Sequence, residues 1–277
     1  MRNRFTGSLL AAVMLAFSAS LLAQTRTEPG SGGVKATPDL SGVWDPGIGT
    51  SPSPFAPSEA GARDIAAGRV PMFGFTREEP PLQPWAAEKY KAAREGRAPN
   101  QRGREEIDPI MYPYCMPHGL PRVYTTPFSF EIVQVPDRAY MLFESNLQLR
   151  RIYLDGRKHL EGWARTPMGI SHGRWDGDTL VVETDNILSL NKQAWLDTFG
   201  HPFTDALHLT ERMRRVGQDT LQIDFLFDDP GAYTKPWTGR KVFRLKDWDM
   251  TEYTTCEDHR QADFLRDMQS GKPAGRP

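Results

Sequence analysis

Glu211 is the first residue whose surroundings point to chemistry. In ALHLTERMRR (residues 206–215), Leu207, Leu209 and Met213 alternate with polar residues, and Glu211 falls on their face. A carboxylate on an apolar face either has an ionic partner or holds its proton through a raised pKa, because burying it unpaired is costly. A raised pKa makes it a general acid or base, with His172, His208 or Tyr153 assisting and Arg151 holding an anionic intermediate. An ionic partner makes it half of a structural pair with a nearby arginine, Arg150 and Arg151 among them.

Strand parity supplies a second set, suited to binding. Leu221, Ile223, Phe225 and Phe227 share one face of residues 220–229, and Asp229 ends that face. Asp228-Asp229-Pro230 also reads as a capped turn enforced by proline. Trp175, Tyr233 and Trp237 are placed to line a mouth or to pack at turns. His118, His172 and His208 lie on or beside predicted strands and would meet if the sheet curls. The run around Arg150 and Arg151 breaks the alternation of Leu147-Gln148-Leu149 and Ile152-Tyr153-Leu154, as a bulge would. Without a bulge, Leu149, Arg151 and Tyr153 share a face, and Arg151 becomes an inward cation matched to a carboxylate. The six histidines form no H-x-H, H-E-x-x-H or Cys/His cluster, so neither a metal nor a cofactor is predicted. Nucleophile elbows, phosphate loops and dinucleotide fingerprints are absent as well.

The elements that must position these residues are strands. GRWDGDTLVV and ERMRRVGQDTLQI each place a Gly-centred turn between extended segments, and Asp-Gly there is a strong hairpin signal. From Phe128 onward the pattern predicts eight or nine strands joined mainly by turns, including residues 251–256 and a further Asp-Gly turn at Asp155-Gly156. Such an antiparallel up-and-down meander removes its exposed edges by closing into a barrel, with room for side chains or one small ligand. Before it, residues 39–127 form a Pro-rich wrap with one short helix. Pro84 opens that helix, which runs through Trp85, Tyr90 and Ala93 and ends near Gly96. Residues 189–199 predict a short helix or loop, and residues 261–277 a polar tail with a short helix over residues 261–268.

The N-terminus sets the compartment. Arg2 and Arg4 precede an apolar run over residues 9–22, shorter than the ~20 residues of a spanning helix, so residues 1–23 read as a cleaved secretory signal. Residues 24–38, polar and rich in Gly and Pro, read as a flexible leader. Taking Arg2 and Arg4 from 34 basic residues leaves 32 against 35 acids. A net charge near −3 gives no electrostatic basis for binding nucleic acid or anionic membrane. Two cysteines in an oxidising compartment, Cys115 and Cys256, predict a disulfide.

Gly42-Val43-Trp44 resembles the G-x-W of lipocalins and the wider calycin group. GRWDGDTLVVET, ALHLTERMRR, DTLQIDFLFDDPGAYTKPWT and EYTTCEDHR resemble a family of exported bacterial proteins of uncharacterised function, over residues 39–260. The segment MGISHGRW is slightly rearranged relative to that family, which separates His172 from a family histidine. The resemblance implies a mostly β, exported protein and carries no catalytic residues with it. The expectation is therefore an all-β, calycin- or lipocalin-like barrel whose interior binds a small, partly apolar molecule. The alternatives are a cofactor-independent lyase, isomerase or hydratase working through Glu211, and an envelope interaction protein using residues 45–110.

Overall fold

The computed structural model describes residues 37–46, 73–95, 116–157 and 162–251. Nine strands are β1 (Gly42–Asp45), β2 (Phe130–Val135), β3 (Arg138–Phe143), β4 (Gln148–Tyr153), β5 (Ile170–Asp176), β6 (Thr179–Asp185), β7 (His208–Gly217), β8 (Thr220–Asp228) and β9 (Trp237–Lys246). They close in sequence order into a calycin-like barrel, β9 returning to β1. A ring of strands that strictly alternate direction needs an even number, so a closed ring of nine must contain a parallel pair. That pair is β4 and β5, with Ile152 opposite Ser171 and Tyr153 opposite His172. Parallel neighbours need a long return, and residues 154–169 provide it. Asp155-Gly156 therefore starts this crossing instead of turning a hairpin, with Gly156 at φ +71°.

The two predicted hairpins form by different means. Between β5 and β6, Asp176 pairs with Thr179 and Gly177 takes φ +63° at the first central position, which glycine does without strain. Between β7 and β8, Gly217 pairs with Thr220, so Gln218 and Asp219 make the turn and Gly217 ends the strand. The register shifts between Arg215 and Gly217, and the Arg215 guanidinium donates to the Gln218 carbonyl at 2.6 and 2.9 Å. A side-chain donor stabilises this turn where a positive-φ glycine was expected.

The barrel interior is a packed core. Trp44, Phe130, Met141, Phe143, Ile152, Leu180, Met213, Ile223, Phe225 and Phe243 are all buried. Each such side chain contributes about 1.5–3 kcal/mol by leaving water. A short 3-10 helix, Arg122–Thr125, is buried with them. Its Tyr124 ring lies 5.8, 5.6 and 5.4 Å from Phe130, Phe143 and Phe225, in edge-to-face contacts. The end of the Pro-rich wrap thus occupies the space expected for a ligand. It is tied to the connections at one barrel end by Leu120 N to Pro167 O, Thr198 N to Thr125 Oγ1, and Arg122 over the Trp195 ring.

The helix α1 (Pro84–Glu95) forms where Pro84 places it, its first turn needing no donor from proline. Trp85 Nε1 donates to Gly231 O at 2.9 Å, Ala86 is buried, and Tyr90 stacks on His201 at 4.0 Å. These contacts set α1 across the β6–β7 and β8–β9 connections. Residues 189–199 are a chain of turns. The signal, the leader, Cys115, Cys256, residues 252–256 of the last predicted strand and residues 261–277 lie outside the described residues.

Candidate functional site

Unbroken pairing of β3 with β4, with Met141 opposite Arg150, leaves no bulge in β4. Gln148, Arg150 and Ile152 therefore point inward, while Leu149, Arg151 and Tyr153 point outward. This corrects the inward placement of Arg151: the cation facing Glu211 is Arg150. Arg150 and Glu211 are 1% and 0% exposed and form a bidentate pair, Nη1 to Oε1 at 2.9 Å and Nη2 to Oε2. Nη1 also donates to the Tyr124 hydroxyl at 2.8 Å, Nη2 to Thr184 Oγ1 at 2.8 Å and Nε to Ser171 Oγ at 3.0 Å. The five N–H donors of the guanidinium are thus all used. Tyr124 in turn donates to Glu211 Oε1 at 2.8 Å.

Burial works against the charge on Arg150, but the Glu211 carboxylate and Tyr124 beside it outweigh that and hold its pKa above the ordinary value. Burial and then the same carboxylate raise the Tyr124 phenol well above 10. The two oxygens of Glu211 are thus occupied by Arg150 and Tyr124, walled by packed aromatics. Such a centre orients the barrel interior, and among the described residues Arg150, Glu211 and Tyr124 are all buried.

The histidines acquire separate neighbours. His118 is nearly enclosed, 3.1 Å from Ser145 Oγ, and burial and then the Arg122 charge push its pKa well below the usual value. His172 points outward from β5 with its ring 5.9 Å from that of Tyr153, which also lies under the Arg157 guanidinium at 4.3 Å. His208, on the outer face of β7, meets Asp185 at 2.8 Å. Trp175 turns inward and packs on the core. Phe225 and Phe227 face inward as predicted. Asp229 is a turn cap: its carboxylate accepts from Thr204 N at 2.6 Å, Thr204 Oγ1 at 2.5 Å and Gly231 N at 3.1 Å.

Among the described residues, a space open to a ligand lies on the outside. A groove of about 660 Å³ runs over the outer face of β7, β8 and β9 under residues 75–78. Register makes two rows across it, Arg212–Asp224–Arg240 and Thr210–Leu226–Thr238. Arg240 Nε donates to Asp224 Oδ1, and Arg212 Nη2 to Asp176 Oδ2 at 3.0 Å. Leu226 is 39% exposed in the middle of the second row. Because β1 pairs only with Asp45-side residues 244–246 of β9, the rest of that edge is open to residues 73–79. Phe75 O accepts from Arg240 N at 2.9 Å, and Gly239 makes the approach possible, since a Cβ there would sit 2.5 Å from Phe75 Cβ.

No protein-family model matches the chain, and no curated protein is similar to it.

Sequence reasoning missed the strap of residues 73–79, the Tyr124 plug and Lys241. Gly239 inside a strand pattern was the available signal for the strap, because such a glycine marks a close backbone approach. Among the described residues no group of three or more His, Cys, Asp or Glu is placed to hold a metal ion. Among them, too, no helix is long and apolar enough to cross a membrane.

Proposed function

We propose that the protein binds a small, partly apolar molecule with polar ends, and that it does so in the outer groove. The observation that carries this reading is the lining. Exposed Leu226 supplies the apolar centre of the floor, flanked in its row by Thr210 and Thr238, with Arg77, Glu78, Arg212, Asp224 and Arg240 around it. A volume of this size suits a small organic ligand, and a few polar groups around an apolar floor fix its orientation. General acid–base catalysis at Glu211 gains no support, since both its oxygens are held by Arg150 and Tyr124.

The test is binding of a panel of medium-chain and aromatic carboxylates, followed by native mass spectrometry and thermal shift. Leu226→Asp is expected to weaken binding tenfold or more, because the ligand's apolar part would have to desolvate a carboxylate, with little change in Tm. Binding that survives Leu226→Asp but disappears in a lumen variant such as Phe143→Ala would move the site indoors and end this reading.

Export to an oxidising compartment is part of the same proposal, supported by Arg2, Arg4 and the apolar run after them. So is a Cys115–Cys256 disulfide. His118, three residues after Cys115, contacts Ser145; Thr251, five residues before Cys256, donates its N–H to Glu144 Oε1 at 3.3 Å. Neighbouring residues of one turn thus anchor both arms, which at ~3.3–3.6 Å per residue are long enough to meet. The closed loop of about 140 residues gives an upper figure of about 5 kcal/mol. Reduction is expected to lower Tm markedly in the exported protein. Alkylation of both cysteines without reductant would show that the bond is not made.

A further inference from the structure

The barrel wall is finished differently on its two sides. Outside β7, β8 and β9 the charged residues pair, Arg240 with Asp224, Arg212 with Asp176 and His208 with Asp185. The outer face of β2, β3 and β4 lies across the ring from them. Register lays out three rows on it: Glu131–Leu142–Leu149, Val133–Tyr140–Arg151 and Val135–Arg138–Tyr153. Val133, Val135, Leu142 and Leu149 are 36–42% exposed, and Leu147, in the turn before β4, is 55% exposed. Leu142 and Leu149 are direct cross-strand neighbours, and the next row continues the apolar surface through Tyr140 and Val133. Apolar side chains scattered singly over a surface are ordinary, whereas a continuous patch marks a place of contact.

The charges at the corners of this patch decide what fits it. Arg138 is satisfied by Asp137 at 3.3 Å. Glu131 and Arg151 have neither hydrogen bond nor ion pair among the described residues. They stand at diagonally opposite corners of the first two rows, on β2 and β4, with Leu142 and Tyr140 between them. A face with one acid, one base and an apolar middle is its own complement. In a two-fold contact, residue i meets residue j and j meets i. An axis lying in the face, passing between Leu142 and Tyr140 and square to the line from Glu131 to Arg151, sets each Glu131 against Arg151 of the other copy. The same operation brings Leu142 towards Leu149 and Val133 towards Tyr140 across the contact.

We propose that the outer face of β2, β3 and β4 docks a second copy of this chain, in a two-fold dimer closed at both ends by Glu131 of one copy and Arg151 of the other. Burial of the leucine and valine side chains supplies the attraction, and the two charge pairs fix the register. The groove over β7, β8 and β9 stays open in such a dimer, so the proposal stands apart from the groove reading.

The protein as isolated from cells is followed by sedimentation velocity while its concentration is raised. The mass is expected to move from one chain to two. Glu131→Arg and Arg151→Glu each weaken association about tenfold or more, because each sets like charges together at both ends of the contact. Combining the two exchanges the charges and restores the dimer. Leu149→Asp abolishes it, and Tm stays near the wild-type value in every variant because the altered side chains are exposed. A chain that stays monomeric overturns the proposal, as does a dimer that survives Leu149→Asp or fails to return in the exchanged variant. Monomers that bind phosphatidylcholine vesicles, and lose that binding in Leu149→Asp, would give the face to a lipid surface and overturn it as well.

Discussion

Glu211→Gln destabilises the folded protein by about 3–5 kcal/mol, read as a shift in the midpoint of urea unfolding without a change in slope. The loss comes from the group left behind. Arg150 is buried, its pKa is held above the ordinary value, and the amide offers one acceptor where the carboxylate offered two. Arg150→Met, which strands the carboxylate instead, carries a loss of similar size. Combining Arg150→Met with Glu211→Leu recovers most of it, because an apolar pair of similar volume spares the desolvation of both charges. With Glu211→Leu as the second single variant, the cycle of Arg150→Met, Glu211→Leu and their combination measures the coupling, and the two single losses are expected to be strongly non-additive. An intact stability in Glu211→Gln would contradict the sealed pair and return Glu211 to the list of catalytic candidates.

Between about pH 7 and pH 9.5 the protein grows more stable as pH rises, and Lys241→Met removes most of that slope. In the folded state burial lowers the Lys241 pKa to about 7, from 10.5 in an ordinary lysine. Between those values the unfolded chain binds more protons than the folded one, so unfolding becomes harder with increasing pH, by up to ~1.4 kcal/mol per unit. The accumulated gain is on the order of 3–5 kcal/mol, the opposing Asp197 charge being already contained in the value of about 7. Other shifted groups flank this window. His118, lowered by burial and by Arg122, costs stability as pH falls through 6.5. Tyr124 and Tyr233, raised by burial, cost stability as pH rises past 10. Lys89, lowered by partial burial, acts in the same direction as Lys241. The difference between wild-type and Lys241→Met unfolding curves isolates the Lys241 contribution. A difference that stays flat across the window would show an amine charged in both states.

Local pattern carried much of the architecture. Alternation placed Leu209, Glu211 and Met213 on one face and Leu221, Ile223, Phe225 and Phe227 on another, because side-chain direction in a strand has period two whatever the partner. Pro84 marked the start of α1, since a proline suits a first turn and little else in a helix. Turn chemistry was read well at Gly177 and less well at Gly217, where Arg215 does from across the turn what a positive-φ glycine does locally.

The pair of adjacent arginines shows where local pattern stops. Parity says that one of Arg150 and Arg151 faces the carboxylate, and nothing in the run LQLRRIY says which. Pairing with β3 decides it, because opposite residues share a face and Met141, opposite Arg150, is in the core. The same holds for the interior itself. Strand number and amphipathic faces imply a closed wall, but whether the wall surrounds a ligand or a solid core depends on what else enters. Tyr124 and Phe75 come from Pro- and Gly-rich segments with no periodicity, and their burial is settled by contacts with strands far along the chain. By itself the sequence determined the strands, their faces, the helix start and the presence of a buried carboxylate, all of which arise from backbone geometry within a few residues. Tertiary structure alone decided the arginine that pairs with it, the parallel junction of β4 and β5, the filled lumen and the outer groove, because each depends on which distant surfaces compete for the same space.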